Sequence, residues 1–128
     1  MCVEYYLQWR SAGRVIVSSI TPKAIDYYIT QTGVAPFLNW FDDLSIPAQA
    51  RIRNRINRVA VGNTGKAKSV GDGVHELKFK DKGFPAFRVY FGNDGDALVI
   101  LLSGGDKSNQ NKDILSAKEY WHDYKENK

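Results

Sequence analysis

Ala86-Phe-Arg-Val-Tyr-Phe91, Gly92-Asn-Asp-Gly-Asp96 and Ala97-Leu-Val-Ile-Leu-Leu-Ser103 are the stretch that decides the fold. The first segment alternates Phe87, Val89 and Phe91 with Arg88 and Tyr90, the period of a strand with one apolar and one polar face. The second holds the Asp-Gly pair typical of a tight hairpin turn. The third is apolar on both faces from Leu98 to Leu102, which predicts a central strand covered on both sides. Val74 to Lys80 adds a third strand, with Glu76, Lys78 and Lys80 on one face.

Upstream of these strands the period changes. Ala24 to Thr30 reads as a strand, with Ile25, Tyr27 and Ile29 opposite Asp26 and Tyr28, and Gln31-Thr-Gly33 supplies a turn. Phe37, Trp40, Phe41 and Leu44 then follow helical spacing behind Pro36, which suits a first helical turn. Ser45-Ile-Pro47 opens a second helix, in which Ala48, Ile52, Ile56 and Val59 form the buried stripe and Gly62 ends the run. Downstream, Ile114, Ala117, Trp121 and Tyr124 make one stripe of a helix from about Asn111 to Tyr124. The predicted class is α+β: an N-terminal strand, a helical hairpin and a C-terminal helix packed on a mainly antiparallel sheet.

Composition bounds the possibilities. The 128 residues are 43% hydrophobic and 12% aromatic, enough for one domain with a core that needs no disulfide or metal staple. Cys2 is the single cysteine, His75 and His122 are the only histidines, and no Cys-x-x-Cys pair exists, so neither a metal nor a cofactor is expected. The apolar run Ala97 to Leu102 is far too short to span a membrane. Met1 to Ile20 carries Glu4, Arg10 and Arg14 and does not read as a signal peptide, although Val15 to Ile20 could form a strand. A cytoplasmic protein without membrane contact is the expectation, with residues 1–20 as an extension and 21–128 as the domain.

Charge is concentrated. The net charge is +4, but residues 48–82 hold nine Lys/Arg against three acids, which is +6, while the rest hold nine against eleven, which is −2. Such a block is the footprint of a phosphate-backbone partner. Within it, Arg51, Arg55 and Arg58 share a helical stripe beside the apolar one, and Lys66 and Lys68 follow. A solvated helix face, or an acidic protein partner, would use the same stripe.

Strand period two gives the sharper constellation. If the strands pair with their polar faces together, Glu76, Lys78, Arg88 and Tyr90 converge on one concavity. Metal-free RNA cleavage needs such a set: a base for the 2′-hydroxyl, cations for the crowded phosphorane and an acid for the leaving 5′-oxygen. Salt-bridged cross-strand pairs on an open sheet face are the plainer outcome of that pattern. Ser103-Gly-Gly-Asp-Lys107 reads best as a turn into the last helix, although its Gly pair and Lys107 could also meet a phosphate. His75, opposite Glu76 in phase, points to the core. His122 reads as a surface residue or, less simply, a proton donor.

Taken in order, Pro36-Phe-Leu-Asn-Trp40, Arg51 to Arg58, Gly62-Asn63, Val70-Gly-Asp-Gly-Val74, Glu76-Leu-Lys78, Phe87-Arg-Val-Tyr-Phe91 and Leu101 to Lys107 resemble the RelE/ParE superfamily of bacterial toxins, specifically HigB-like addiction-module killer proteins related to phage Gp49. The resemblance covers about Ala24 to Lys125. It implies the RelE-like fold and a type II toxin neutralised by a cognate antitoxin, often a helix-turn-helix protein. It also implies a ribosome-dependent mRNA endoribonuclease that works without metal. Carried over by position, the family's Glu-Leu-Arg falls on Glu76-Leu77-Lys78, its central Arg on Arg88 with Tyr90 behind, and a phosphate-binding cation on Lys107. Glu76, Lys78, Arg88, Tyr90 and Lys107 are the expected catalytic set, and Arg51, Arg55, Arg58, Lys66 and Lys68 the expected RNA contacts. Lys78 departs from the family's Arg, keeping the charge but losing the bidentate fork. Phe84-Pro-Ala-Phe87 also lengthens the hairpin link. Gyrase-poisoning relatives of the ParE type share the same fold, and a relative that binds antitoxin without cutting RNA is a third possibility.

Overall fold

Alternating apolar residues build a sheet around the strand that follows the Asp-Gly turn. The computed structural model describes residues 23–62, 67–80 and 82–128. The expected N-terminal extension, the Val15 to Ile20 strand, Cys2 and Lys66 lie outside the described residues. Among those described, the elements are β1 (Ala24–Tyr27), α1 (Pro36–Asp42), α2 (Ile46–Ala60), β2 (Lys68–Gly71), β3 (Val74–Lys78), β4 (Phe87–Asp94), β5 (Leu98–Asp106), a 3-10 turn (Lys107–Asn109) and α3 (Gln110–Asn127). The strands form one sheet in the order β1-β5-β4-β3-β2. Its pairings are antiparallel except that β1 runs parallel to β5. This is the α+β architecture expected from the sequence and is consistent with a RelE-like fold.

β5 is the central apolar strand. Val99 and Leu101 face a core built with Phe37 and Phe41 of α1 and Ile52, Ile56 and Val59 of α2. Ile100 and Leu102 face a second core with Ala117 and Trp121 of α3. The helical pair and the C-terminal helix therefore cover opposite faces. Ser45 caps α2 by accepting a hydrogen bond from the Ala48 N–H at 3.3 Å. Gly62 follows the helix at φ 92°, as a left-handed stop requires.

Three local expectations need correction. β2 has no signature in the sequence, because Lys68-Ser-Val-Gly71 is short and polar and gains its strand form only by pairing with β3. β1 stops at Tyr27 rather than Thr30, where a turn closes through the Thr30 N–H to the Val34 carbonyl at 2.7 Å. Ser103-Gly-Gly-Asp106 is not a turn but the end of β5, with Gly104 opposite Val89 and Gly105 opposite Arg88. The glycines are there for close approach. The Trp40 ring lies over Gly104 and the Asp113 carboxylate over Gly105, each where a β-carbon would stand.

Trp40 also meets Phe87 edge-on at 5.9 Å, so the bare backbone at 104 seats α1 against the sheet. Gly104→Ala should therefore destabilise the fold by about 3 kcal/mol, the upper range for overpacking a core. Urea denaturation with an unchanged slope would check it, and wild-type stability would refute this account of the glycine.

Candidate functional site

β3 and β4 pair with their polar faces together. Glu76 stands opposite Tyr90 and Lys78 opposite Arg88. Lys68 on β2 is opposite Glu76, and on β5 Ser103 is opposite Tyr90. These residues lie on the sheet face that carries α3. Because the strands alternate in direction, Lys68 at the start of β2, Lys78 at the end of β3, Arg88 near the start of β4 and Lys107 beyond β5 gather at one end of the sheet.

The set is a buried layer and not an open concavity. Tyr90 is 0% exposed, Glu76 1% and Arg88 4%. The first turn of α3 roofs it. Gln110 Nε2 donates to Glu76 Oε2 at 2.8 Å, and the Tyr90 hydroxyl donates to the same oxygen at 3.1 Å. Arg88 Nε lies 3.6 Å from that oxygen, an ion pair too long for a hydrogen bond. On the other carboxylate oxygen, Lys68 Nζ stands at 3.9 Å with most of its side chain in solvent. Lys78 is half-buried, while Lys80 and Lys107 are exposed.

These contacts explain the titration of the site. Burial, reinforced by Glu76, pushes the Tyr90 phenol well above its ordinary range, so it stays protonated and donating. Lys78 is lowered chiefly by the Arg88 charge, then by burial, Lys80 and Lys68, with Glu76 opposing. The cations there repel one another, the condition in which an incoming anion is welcome. Asp113 is raised by burial and by Asp106, and hydrogen bonds from Ser108 lower Asp106.

The arginine stripe sits on the other side of the sheet, because α2 packs against the Val99 face. Arg51 lies over the Phe84 ring at 4.5 Å and Arg55 over Phe79 at 5.0 Å. Arg58 is exposed. Phe79 and Phe84 belong to the β3–β4 connection, so this edge links the stripe to the Lys78 end of the cation cluster. Arg53, which the helical period sets apart from the stripe, stacks on Phe41 at 5.3 Å.

The histidines are elsewhere. His75 stacks on Phe91 at 5.3 Å on the α1/α2 face, and burial followed by the Lys23 charge lowers its pKa. His122 is exposed beside Asp72, Gly73, Lys118, Trp121 and Lys125, at the opposite end of β3 from Lys78. Sequence reasoning missed Gln110 and Asp113 in the layer, since nothing in strand period marks a helix start that folds back over it. Among the described residues no group of three or more His, Cys, Asp or Glu could hold a metal ion. Nor is any helix there long and apolar enough to cross a membrane.

Comparison with known proteins adds to this geometry. The family model described as phage derived protein Gp49-like (DUF891) matches residues 39–120. That span runs from α1 through most of α3 and contains every strand but β1. An uncharacterized protein of Haemophilus influenzae is 49% identical over 83 residues, covering 64% of this chain and 82% of that protein. No solved structure matches the chain.

Glu76 is the hub of the layer, so its loss should be costly. Glu76→Ala leaves the Arg88 charge buried and unpaired and should destabilise the fold by about 3–5 kcal/mol. Tyr90→Phe removes one hydrogen bond and should cost about 1 kcal/mol. Equal effects of the two variants in chemical denaturation would show that Glu76 is not the hub.

Proposed function

Because the chain belongs to the Gp49-like phage-derived protein family, a family of RelE/HigB-like toxins, we propose that it is the toxin of a type II toxin–antitoxin pair and a ribosome-dependent mRNA endoribonuclease. The supporting observation is the register that sets Glu76, Lys78, Arg88 and Tyr90 side by side at one cation-rich end of the sheet. Membership implies an antitoxin partner in general, and a helix-turn-helix protein is the form we propose. The action is cytoplasmic, on translating ribosomes.

In this reading Lys78, Arg88 and Lys107 contact the scissile phosphate. Glu76 Oε1, the carboxylate oxygen that accepts no hydrogen bond, is the candidate base for the 2′-hydroxyl proton. The freed 2′-oxygen attacks phosphorus as the bond to the 5′-oxygen breaks, and that oxygen takes a proton from water as it leaves, giving a 2′,3′-cyclic phosphate while Glu76 returns its proton to solvent. Tyr90, held protonated against Glu76, orients the carboxylate and is too weak an acid to supply that proton readily. Arg51, Arg55, Arg58, Lys66 and Lys68 hold the RNA backbone.

Induced expression should stop translation and cut mRNA on ribosomes. Lys107→Ala, at an exposed position, should lower cleavage at least tenfold without loss of stability, and Arg88→Lys should do so by removing the planar fork. Arg51→Ala and Arg55→Ala should each reduce the salt slope of single-strand binding by about 0.7. DNA-damage signalling in place of a translation block would replace this function with gyrase inhibition. No growth defect in the absence of antitoxin would indicate a relative that binds without cutting.

A further inference from the structure

The polar layer contains a residue that the proposed reaction leaves unused. Among the described residues, the buried side-chain atoms with no hydrogen-bond partner are Glu76 Oε1, Arg88 Nε, Arg88 Nη1 and Ser103 Oγ. All belong to three adjacent strands on the face under α3. Ser103 reaches that face through a bulge. Tyr90 pairs with Ser103 and Phe91 with Leu101, so Leu102 is the extra residue. Strict alternation from Ile100 and Leu102 would have turned Ser103 toward α1 and α2 instead.

An unmet buried hydroxyl or guanidinium N–H carries its full desolvation penalty, so such groups are rare in folded proteins and each calls for an explanation. Three of the four orphaned atoms here are donors. They stand on diagonal neighbours, Ser103 opposite Tyr90 and Arg88 one step along β4 on the same face. Such a pair lies about 7–8 Å apart between backbones, a gap that one tetrahedral oxyanion can bridge. Beside Arg88, Gly105 contributes no side chain, and the hollow it leaves is taken by the Asp113 carboxylate. Gln110 closes the other side through its bond to Glu76. The turn that carries both residues has no side-chain cap at Asn109.

We propose that Arg88 and Ser103 form an oxyanion subsite, closed in the free protein by Gln110 and Asp113 and filled by a phosphate group of RNA when the first turn of α3 lifts. The proposal rests on the RNA-cleaving function above and adds Ser103 to the groups that touch substrate. Displacing Asp113 also separates two neighbouring carboxylates, since burial and Asp106 raise Asp113 against the opposing charge of Lys112. The entering phosphate then meets the donors that the closed state leaves unmet.

The test titrates inorganic phosphate into 15N-arginine-labelled protein and follows the Arg88 Nε–H resonance. A saturable shift is expected. Ser103→Ala should weaken it about tenfold while leaving stability equal or higher, since the variant deletes an unmet hydroxyl. Ser103→Thr should restore it, and Gln110→Ala should tighten it by freeing the roof. The proposal falls if the Arg88 resonance stays still as phosphate is added, or if Ser103→Ala binds phosphate as the wild type does. A 2′-O-methyl oligoribonucleotide and an mRNA cleavage assay separate the two readings. Phosphate binding through Ser103 without oligonucleotide binding or cleavage keeps the subsite and overturns the nuclease. Cleavage by Ser103→Ala at unchanged kcat and KM keeps the nuclease and overturns the subsite.

Discussion

The double coverage of β5 is the constraint on which the molecule depends. A strand with Val99 and Leu101 on one side and Ile100 and Leu102 on the other cannot face water on either surface. It must lie inside the sheet, with β1 on one flank and β4 on the other, and both faces need helices. α1 and α2 supply one cover and α3 the second. Where β5 continues past its apolar run, the same demand is met differently. Trp40 and Asp113 settle over bare backbone at Gly104 and Gly105. The covering helices are thereby positioned over the polar end of the sheet.

That placement creates the tension in the site. Pairing β3 with β4 puts a carboxylate, a guanidinium and a phenol side by side, and the roof of α3 then removes them from water. A buried ion pair is weak support for a fold, because desolvation offsets much of its attraction. Here the Arg88–Glu76 contact is also too long for a hydrogen bond, and four polar atoms in the layer stay unmet among the described residues. A core selected for stability alone would replace such a layer with packed hydrocarbon. Those groups are costly to the fold as they stand, and the exposed lysines at the same end add a positive field around them.

The candidate residues were legible in proportion to their dependence on local period. Glu76 and Lys78, like Arg88 and Tyr90, share faces because strand geometry admits no alternative, and the structure pairs those faces. The α2 stripe of Ala48, Ile52, Ile56 and Val59 is buried throughout for the same reason. β2 was illegible because its residues carry no pattern apart from their partner strand. The facing of Ser103 is not legible from strict alternation, because one bulged residue reverses the phase of everything after it. Gly104 and Gly105 resembled turn glycines, and only the side chains lying on them show why they belong to a strand.

The sequence by itself determined the class of fold, the central strand, the helix faces and which charged residues share a side, since each follows from repeats of 2.0 or 3.6 residues along the chain. Only the tertiary structure decided that the polar set is closed rather than open, that Gln110 and Asp113 form its roof, and that the arginine stripe lies on the opposite face of the sheet. Those facts depend on which elements meet across long separations. Residue 110 touches residue 76 because both covers of β5 must close, and no local period encodes that contact.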